Sequence, residues 1–146
     1  MTSHGNSAEV AAIDQTIEGW ARALRAKDAA GVISFGTKDY LLVSLAPPLQ
    51  VEMREPKGLE AWFATWVGPI GYVLHQLTIA AGPDLAFAHS LNRMTGTKTD
   101  GAKPDSWFRQ TLCLRKVDGR WKIAHQHDSV PFYMDGSFRA AVDLRP

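Results

Sequence analysis

The stretch DGRWKIAHQHDSVP, residues 118–131, decides how this chain is read. Asp118-Gly119 is a turn signal, and the alternating run behind it is a strand whose neighbours face opposite ways. By strict alternation Trp121, Ile123, His125 and His127 share one face, and Lys122, Ala124, Gln126 and Asp128 share the other. The preceding SWFRQTLCLRK, residues 106–116, is the partner strand of a hairpin. A three-residue Val117-Asp118-Gly119 turn with Gly119 left-handed pairs Lys116 with Arg120. Leu112, Gln110 and Phe108 then join Gln126 and Asp128, while Thr111, Arg109 and Cys113 join the histidines. A two-residue Asp118-Gly119 turn swaps these companions. The three-residue form is preferred, because one positive φ is less demanding than two.

Upstream, Ser7 is a plausible N-cap and Val10, Ile13, Ile17, Trp20 and Leu24 recur at helical spacing, which predicts a helix over 7–26. Residues 1–6 are small and polar and are expected to be loose. DAAGVISF is a second short helix capped by Asp28. DYLLVSL reads as a strand over 40–45, stopped by Pro47 and Pro48, and VEMRE as a short exposed strand. PKGLEAWFATWVG is a third helix with Leu59, Trp62, Phe63 and Trp66 on one face. Strands follow over 71–80 and 85–97, then the closing hairpin; FRAAVDLRP is a short ordered tail. The expectation is one α+β domain over 1–146, with helices in the N-terminal half and an antiparallel sheet after them.

Composition bounds the function. The chain has 146 residues, 45% of them hydrophobic and 21% charged, with net charge +1. That balance argues against nucleic acid or an anionic membrane as partner. Cys113 is the single cysteine, so no internal disulfide forms, and a cytoplasmic location is expected. No secretory leader pattern or membrane-length apolar run is seen. Three helices cannot cover both faces of a large sheet, so a homodimer is expected through the face carrying His125 and His127.

WARALRAKDAAGVISF, residues 20–35, and the 118–131 run together resemble the nuclear-transport-factor-2-like superfamily, in its SnoaL-like and ketosteroid-isomerase-like branch. The closing hairpin also resembles the association domain of calmodulin-dependent kinases. The resemblance covers nearly the whole chain. It implies a cone of three helices on a strongly bent antiparallel sheet, with a small-molecule pocket inside. Its functions span isomerases, dehydratases, cyclases, ligand binders and assembly hubs, so fold alone does not give function.

The ketosteroid isomerase triad is absent. Its tyrosine position falls on Trp20, its general base on Ser44, and its oxyanion aspartate on Leu112 or Thr111. Close SnoaL-like relatives carry carboxylates where this chain has Ser44 and Gln126. The kinase-domain resemblance implies that Asp128, Leu112 and Arg93 point into the pocket. Arg93 is read either as a clamp for a carboxylate or enolate or as a brace paired with Asp39 or Asp128. His89 shares Arg93's face by parity. The candidates for chemistry are therefore Arg93, Asp128 and His89. The candidates for ligand contact are Trp20, Ser44, Trp62, Trp66, Gln110, Leu112 and Gln126, with Phe35 as a lining residue. Trp107 and Trp121 are expected to pack on the sheet or at a subunit contact, and Asp39 to be structural.

His-x-His on one strand face could hold a metal, but a third ligand from His75, His89 or Cys113 would have to converge, and none is assigned. Cys113 or Ser44 as nucleophile is set aside, since Cys113 lies between leucines. The expected function is a cofactor-free pocket for a small apolar or carbonyl compound, with isomerase, hydratase or cyclase chemistry. A ligand-binding or assembly module without catalysis is the alternative.

Overall fold

The structure is a computed structural model that describes residues 2–146. In chain order it comprises β1 (Thr2–His4), α1 (Ser7–Arg25), α2 (Ala29–Ser34), β2 (Gly36–Val43), β3 (Val51–Glu52), α3 (Lys57–Phe63), β4 (Trp66–Ala81), β5 (Leu85–Lys98), β6 (Asp105–Val117) and β7 (Arg120–Ser129). The strands form one open sheet in the order β1-β4-β5-β6-β7-β2-β3. The meander from β4 to β7 is antiparallel as expected. The sheet as a whole is mixed, because β1 runs parallel to β4 and β2 parallel to β7. No described helix is long and apolar enough to cross a membrane.

Helix α1 forms because its apolar residues fall on one stripe: Val10, Ile13, Ile17, Trp20, Ala21 and Leu24 are all buried. Its cap is Asn6 rather than Ser7; the Asn6 side-chain oxygen accepts from the Ala8 and Glu9 amides at 2.9 and 3.3 Å. Asp28 caps α2 through the Gly31 amide at 2.9 Å, as expected. Residues 2–4 are not loose; they pair with Thr78–Ala80 and cover the edge of β4. Met1 lies outside the described residues. Helix α3 stops at Phe63, short of the expected end. Thr65, Trp66 and Val67 favour extended backbone, and Trp66 and Val67 pair with Lys98 and Thr97 instead. In the tail, Phe132 bridges to Ala140, and Ala141 is buried.

The closing hairpin departs from the expected register twice. Its turn has two residues, Asp118 and Gly119, with φ of 51° and 78°, and Val117 pairs with Arg120. Further along, Leu114 pairs with Ile123 but Cys113 pairs with His125, so Ala124 is an extra residue in β7. Each departure alone reverses the facing of the distal strand, and the two together restore it. Gln110 therefore lies opposite Asp128, and Leu112 opposite Gln126. Trp121 and Ile123, however, do not share a face with the histidines. They are buried at 4% and 0% exposure under α1, whereas His127 is exposed.

Trp121 also ties α1 to the sheet. Its Nε1 donates to Glu9 at 2.6 Å, Lys116 donates to the other Glu9 oxygen at 2.8 Å, and the Thr16 hydroxyl donates to the Trp121 carbonyl at 3.2 Å. The Lys116 and Trp121 bonds hold the Glu9 carboxyl below its ordinary value. Trp121→Ala should cost about 3–5 kcal/mol in urea unfolding, the range for a truncated core tryptophan. A loss below about 1 kcal/mol would mean that Trp121 faces outward.

Candidate functional site

The inner face of the sheet carries one polar stripe, assembled from five strands. Strand alternation turns Tyr40 of β2, Tyr72 of β4, Ser90 and Asn92 of β5, Gln110 of β6, and Gln126 and Asp128 of β7 to the same side. Tyr40, Tyr72, Ser90, Asn92, Gln110 and Gln126 are all buried. The Ser90 hydroxyl donates to Asn92 Oδ1 at 2.6 Å. Asn92 Nδ2 and Gln110 Nε2 both donate to the Tyr72 hydroxyl, at 2.9 and 2.7 Å. Gln110 Nε2 also donates to Asp128 Oδ1 at 2.9 Å, and Gln126 Nε2 to Asp128 Oδ2 at 2.8 Å. The Tyr40 hydroxyl closes the chain by donating to Gln126 Oε1 at 2.5 Å.

The network contains one ionisable group near neutrality. Burial raises the Asp128 carboxyl to about 6, against the opposing pull of the Gln110 and Gln126 N–H groups. Burial also pushes the Tyr40 and Tyr72 hydroxyls up, Tyr72 well above its ordinary value, and the nearby Asp128 charge adds to both shifts. Both phenols are therefore neutral donors near pH 7. Two buried polar atoms beside this stripe lack any hydrogen-bond partner: Trp20 Nε1 and Gln110 Oε1. Trp20 stands edge-on to Tyr72 with centroids 5.7 Å apart. Its N–H approaches the Tyr40 hydroxyl without completing a bond. Asp128 itself is partly exposed, so the stripe meets solvent at that end. Chemically, this is a polarised hydroxyl, a free indole donor and one carboxyl poised to exchange a proton, set among aromatic rings.

Of the residues singled out in the sequence, Asp128, Gln110, Gln126, Leu112 and Trp20 come together here; Leu112 is 1% exposed and packs in the core. Trp66 and half-buried Trp62 form a separate edge-on pair at 5.6 Å, capped by Lys98 Nζ 4.1 Å from the Trp66 ring. Phe35 packs against the core. Ser44 lies one residue beyond the end of β2, where its hydroxyl accepts from the Ala46 amide at 3.3 Å.

Arg93 and His89 do not point inward. Asn92 and Ser90 take the inward positions of β5, so their neighbours face out. Arg93 forms a two-pronged ion pair with Asp105, both bonds 2.8 Å, and lies over the Trp107 ring. Its partner is thus neither Asp39 nor Asp128. Asp39 sits at the surface, bonded to Thr37 and Arg115. His89 is exposed in an open depression of about 620 Å³ with Gln76, Thr78, Arg109 and Thr111, which Ser90 and Gln110 of the stripe also line. A second depression of similar size, lined by Lys38, Asp39, Met53 and Arg54, lies by β2 and β3; Asp128 lines neither.

His125 and His127 also face out, with ring centroids 6.2 Å apart. Among the described residues no three metal-binding side chains gather. Burial pushes the Cys113 thiol up, which opposes a nucleophilic role.

Tyr40, Tyr72 and Asn92 were not singled out from the sequence. Alternation could have found Asn92, since it shares parity with Ala88, the small buried residue of β5.

A carboxyl whose folded value lies above its ordinary 3.8 contributes stability that is fully present below 3.8 and lost as pH rises through about 6. Asp128→Asn should therefore stabilise the protein at pH 8, by up to about 3 kcal/mol, and give little advantage at pH 4. Equal effects at both pH values would contradict a raised Asp128 carboxyl.

The comparisons agree with this architecture. A family model described as a SnoaL-like domain matches residues 13–133. None of the curated proteins matches. An NTF2-like protein of unknown function from Pseudomonas putida is 32% identical over 98% of this chain and 99% of its own, with TM-score 0.84. A ketosteroid isomerase-like protein from Erwinia carotovora atroseptica is 24% identical over 85% and 97%, with TM-score 0.72. A protein provisionally assigned as a scytalone dehydratase, from Novosphingobium aromaticivorans, is 21% identical over 92% and 91%, with TM-score 0.74. The last two show likeness of fold alone. With the three helices, the mixed sheet and the matched span all in place, the chain belongs to the SnoaL-like family within the NTF2-like superfamily.

Proposed function

We propose that this protein binds a small uncharged carbonyl compound at the Asp128 end of the cone and moves a proton on it, without a cofactor. The observation that carries the reading is the Asp128 carboxyl, raised to about 6 and gripped by two amides beside the neutral Tyr72 hydroxyl. Ionised Asp128 takes a proton from the carbon next to the carbonyl. Tyr72, its oxygen already accepting from Asn92 and Gln110, donates its O–H to the oxygen on which charge develops. Where a double bond is conjugated with the resulting enolate, Asp128 returns the proton at a new carbon, which is isomerisation. Where a β-hydroxyl is present, Asp128 returns the proton to that hydroxyl as its C–O bond breaks, and it leaves as water, which is dehydration. Both outcomes suit the names carried by the structural neighbours.

Uncharged ligands are favoured because none of the network's hydrogen bonds comes from a lysine, arginine or histidine. With Arg93 outside, an anionic ligand would face the Asp128 charge uncompensated.

Solvent-deuterium exchange into a panel of cyclic ketones and enones, followed by mass spectrometry, tests this. Asp128→Asn should lower the exchange rate by about 10²-fold or more. The wild-type rate should rise with pH through about 6 and level above it, because the ionised form is the base. Exchange that survives the substitution unchanged would refute the assignment and favour a binding module.

The reading includes a homodimer in the cytoplasm. Val73, Leu85 and Phe87 are 48%, 62% and 50% exposed on the outer sheet face that also carries His125 and His127, and the three helices leave that face bare. Sedimentation should give twice the chain mass, and Phe87→Asp should give the monomer. A wild-type monomer at micromolar concentration would remove this face from consideration.

A further inference from the structure

The two amides that hold Asp128 are not equivalent. Gln126 is used at both ends: Oε1 accepts from the Tyr40 hydroxyl, and Nε2 donates to Asp128 Oδ2. Turning it over breaks both bonds. Gln110 is used at one end only. Its Nε2 serves both Tyr72 and Asp128, while its buried Oε1 has no partner. A buried carbonyl oxygen left alone is costly in a native interior, and such an exception calls for an explanation.

We propose that Gln110 is a reversible positioning residue. Its amide offers N–H to Asp128 when that carboxyl is ionised and Oε1 when it is protonated, and the Tyr72 O–H turns with it. This deepens the reading that Asp128 exchanges a proton, and rests on it.

The count of bonds supports two states. An ionised carboxylate accepts only, so Nε2 must face it, as observed. A protonated Asp128 needs an acceptor, and Oδ1 faces Gln110. Turning the amide over brings Oε1 to that proton. Asn92 cannot follow, because the Ser90 hydroxyl holds its Oδ1 and keeps its Nδ2 on Tyr72. Tyr72 thus still accepts from Asn92, and its O–H is free to rotate onto Gln110 Oε1. One end of the Gln110 amide lacks a partner in either state, so the proton on Asp128 decides between them. The other titratable groups on the network are Tyr40 from β2 and Tyr72 from β4, both kept neutral by burial. Helix α1 presents Trp20, and β5 presents Ser90 and Asn92. The consequence, for the protein without ligand, is that the Tyr72 O–H is free to meet an entering carbonyl oxygen only when Asp128 is ionised. Once engaged there it stays on that oxygen through the proton transfer.

Carboxyl carbon NMR of Asp128 across pH, in the wild type, Gln126→Met and Gln110→Met, tests the proposal. Gln126→Met removes a fixed donor whose bond to Asp128 Oδ2 is stronger when the carboxyl is ionised than when it is protonated, so the Asp128 midpoint should rise by about one pH unit or more. Gln110→Met removes a partner of both forms, so the midpoint should move by less than about half a unit. A rise as large as that of Gln126→Met would overturn the switch. In the unaltered protein, nuclear Overhauser contacts from the Gln110 amide protons to the Tyr72 ring should be present above the midpoint and lost below it. Contacts that persist on both sides overturn the proposal even if the variants fail to fold. So does an Asp128 that does not titrate between pH 4 and 8. None of these readouts needs a substrate, so the exchange assay decides the function independently.

Discussion

A single extra residue in the last strand, Ala124, sets which side chains of that strand face inward. It lets Trp121 and Ile123 sit under α1 while Gln126 and Asp128, a turn of register further on, still face inward. Without it, either the tryptophan clamp or the carboxyl would lie on the wrong side of the sheet. The N-terminal helix and the polar stripe are thus joined through one strand. Glu9 reaches Trp121 and Lys116 at one end, and Tyr40 reaches Gln126 further along.

The inward-facing polar stripe is built from neutral donors around one carboxyl. Its members are amides, hydroxyls and an indole, and the charge that balances Asp128 is not a cation but two N–H groups. That arrangement leaves desolvation the larger influence, which is why the carboxyl rises rather than falls. The contrast with Asp105 is direct. There the Arg93 guanidinium supplies two bonds and a full charge, and the carboxyl is held far below its ordinary range. The two aspartates lie on opposite faces of one sheet, and their surroundings fit them for different work.

The secondary structure was largely legible. The α1 stripe, the Asp28 cap and the β4–β7 meander follow from spacing and turn residues. The ends were less so. Trp66 completes a helical face in sequence yet opens β4, because pairing with Lys98 satisfies its backbone in a way that another half-turn of α3 would not. The edge pairing of residues 2–4 depends on an exposed strand 76 positions away in the register, which no local pattern records.

The sequence by itself determined the family, which depends on residue type, strand period and the strength of the closing motif. It grouped Gln110, Leu112, Gln126 and Asp128 on one face through a three-residue turn and strict alternation. The structure keeps that grouping only because the turn is one residue shorter and Ala124 is one residue extra. Tertiary structure alone decided that Tyr40, Tyr72 and Asn92 join the polar stripe and that Arg93 and His89 face away from it. Facing in a sheet is fixed by turn length and bulges, and each has a period of one residue, so a single unseen insertion reverses it. Two such departures cancelled at Asp128, and only the hydrogen-bond register between β6 and β7 reveals that they did.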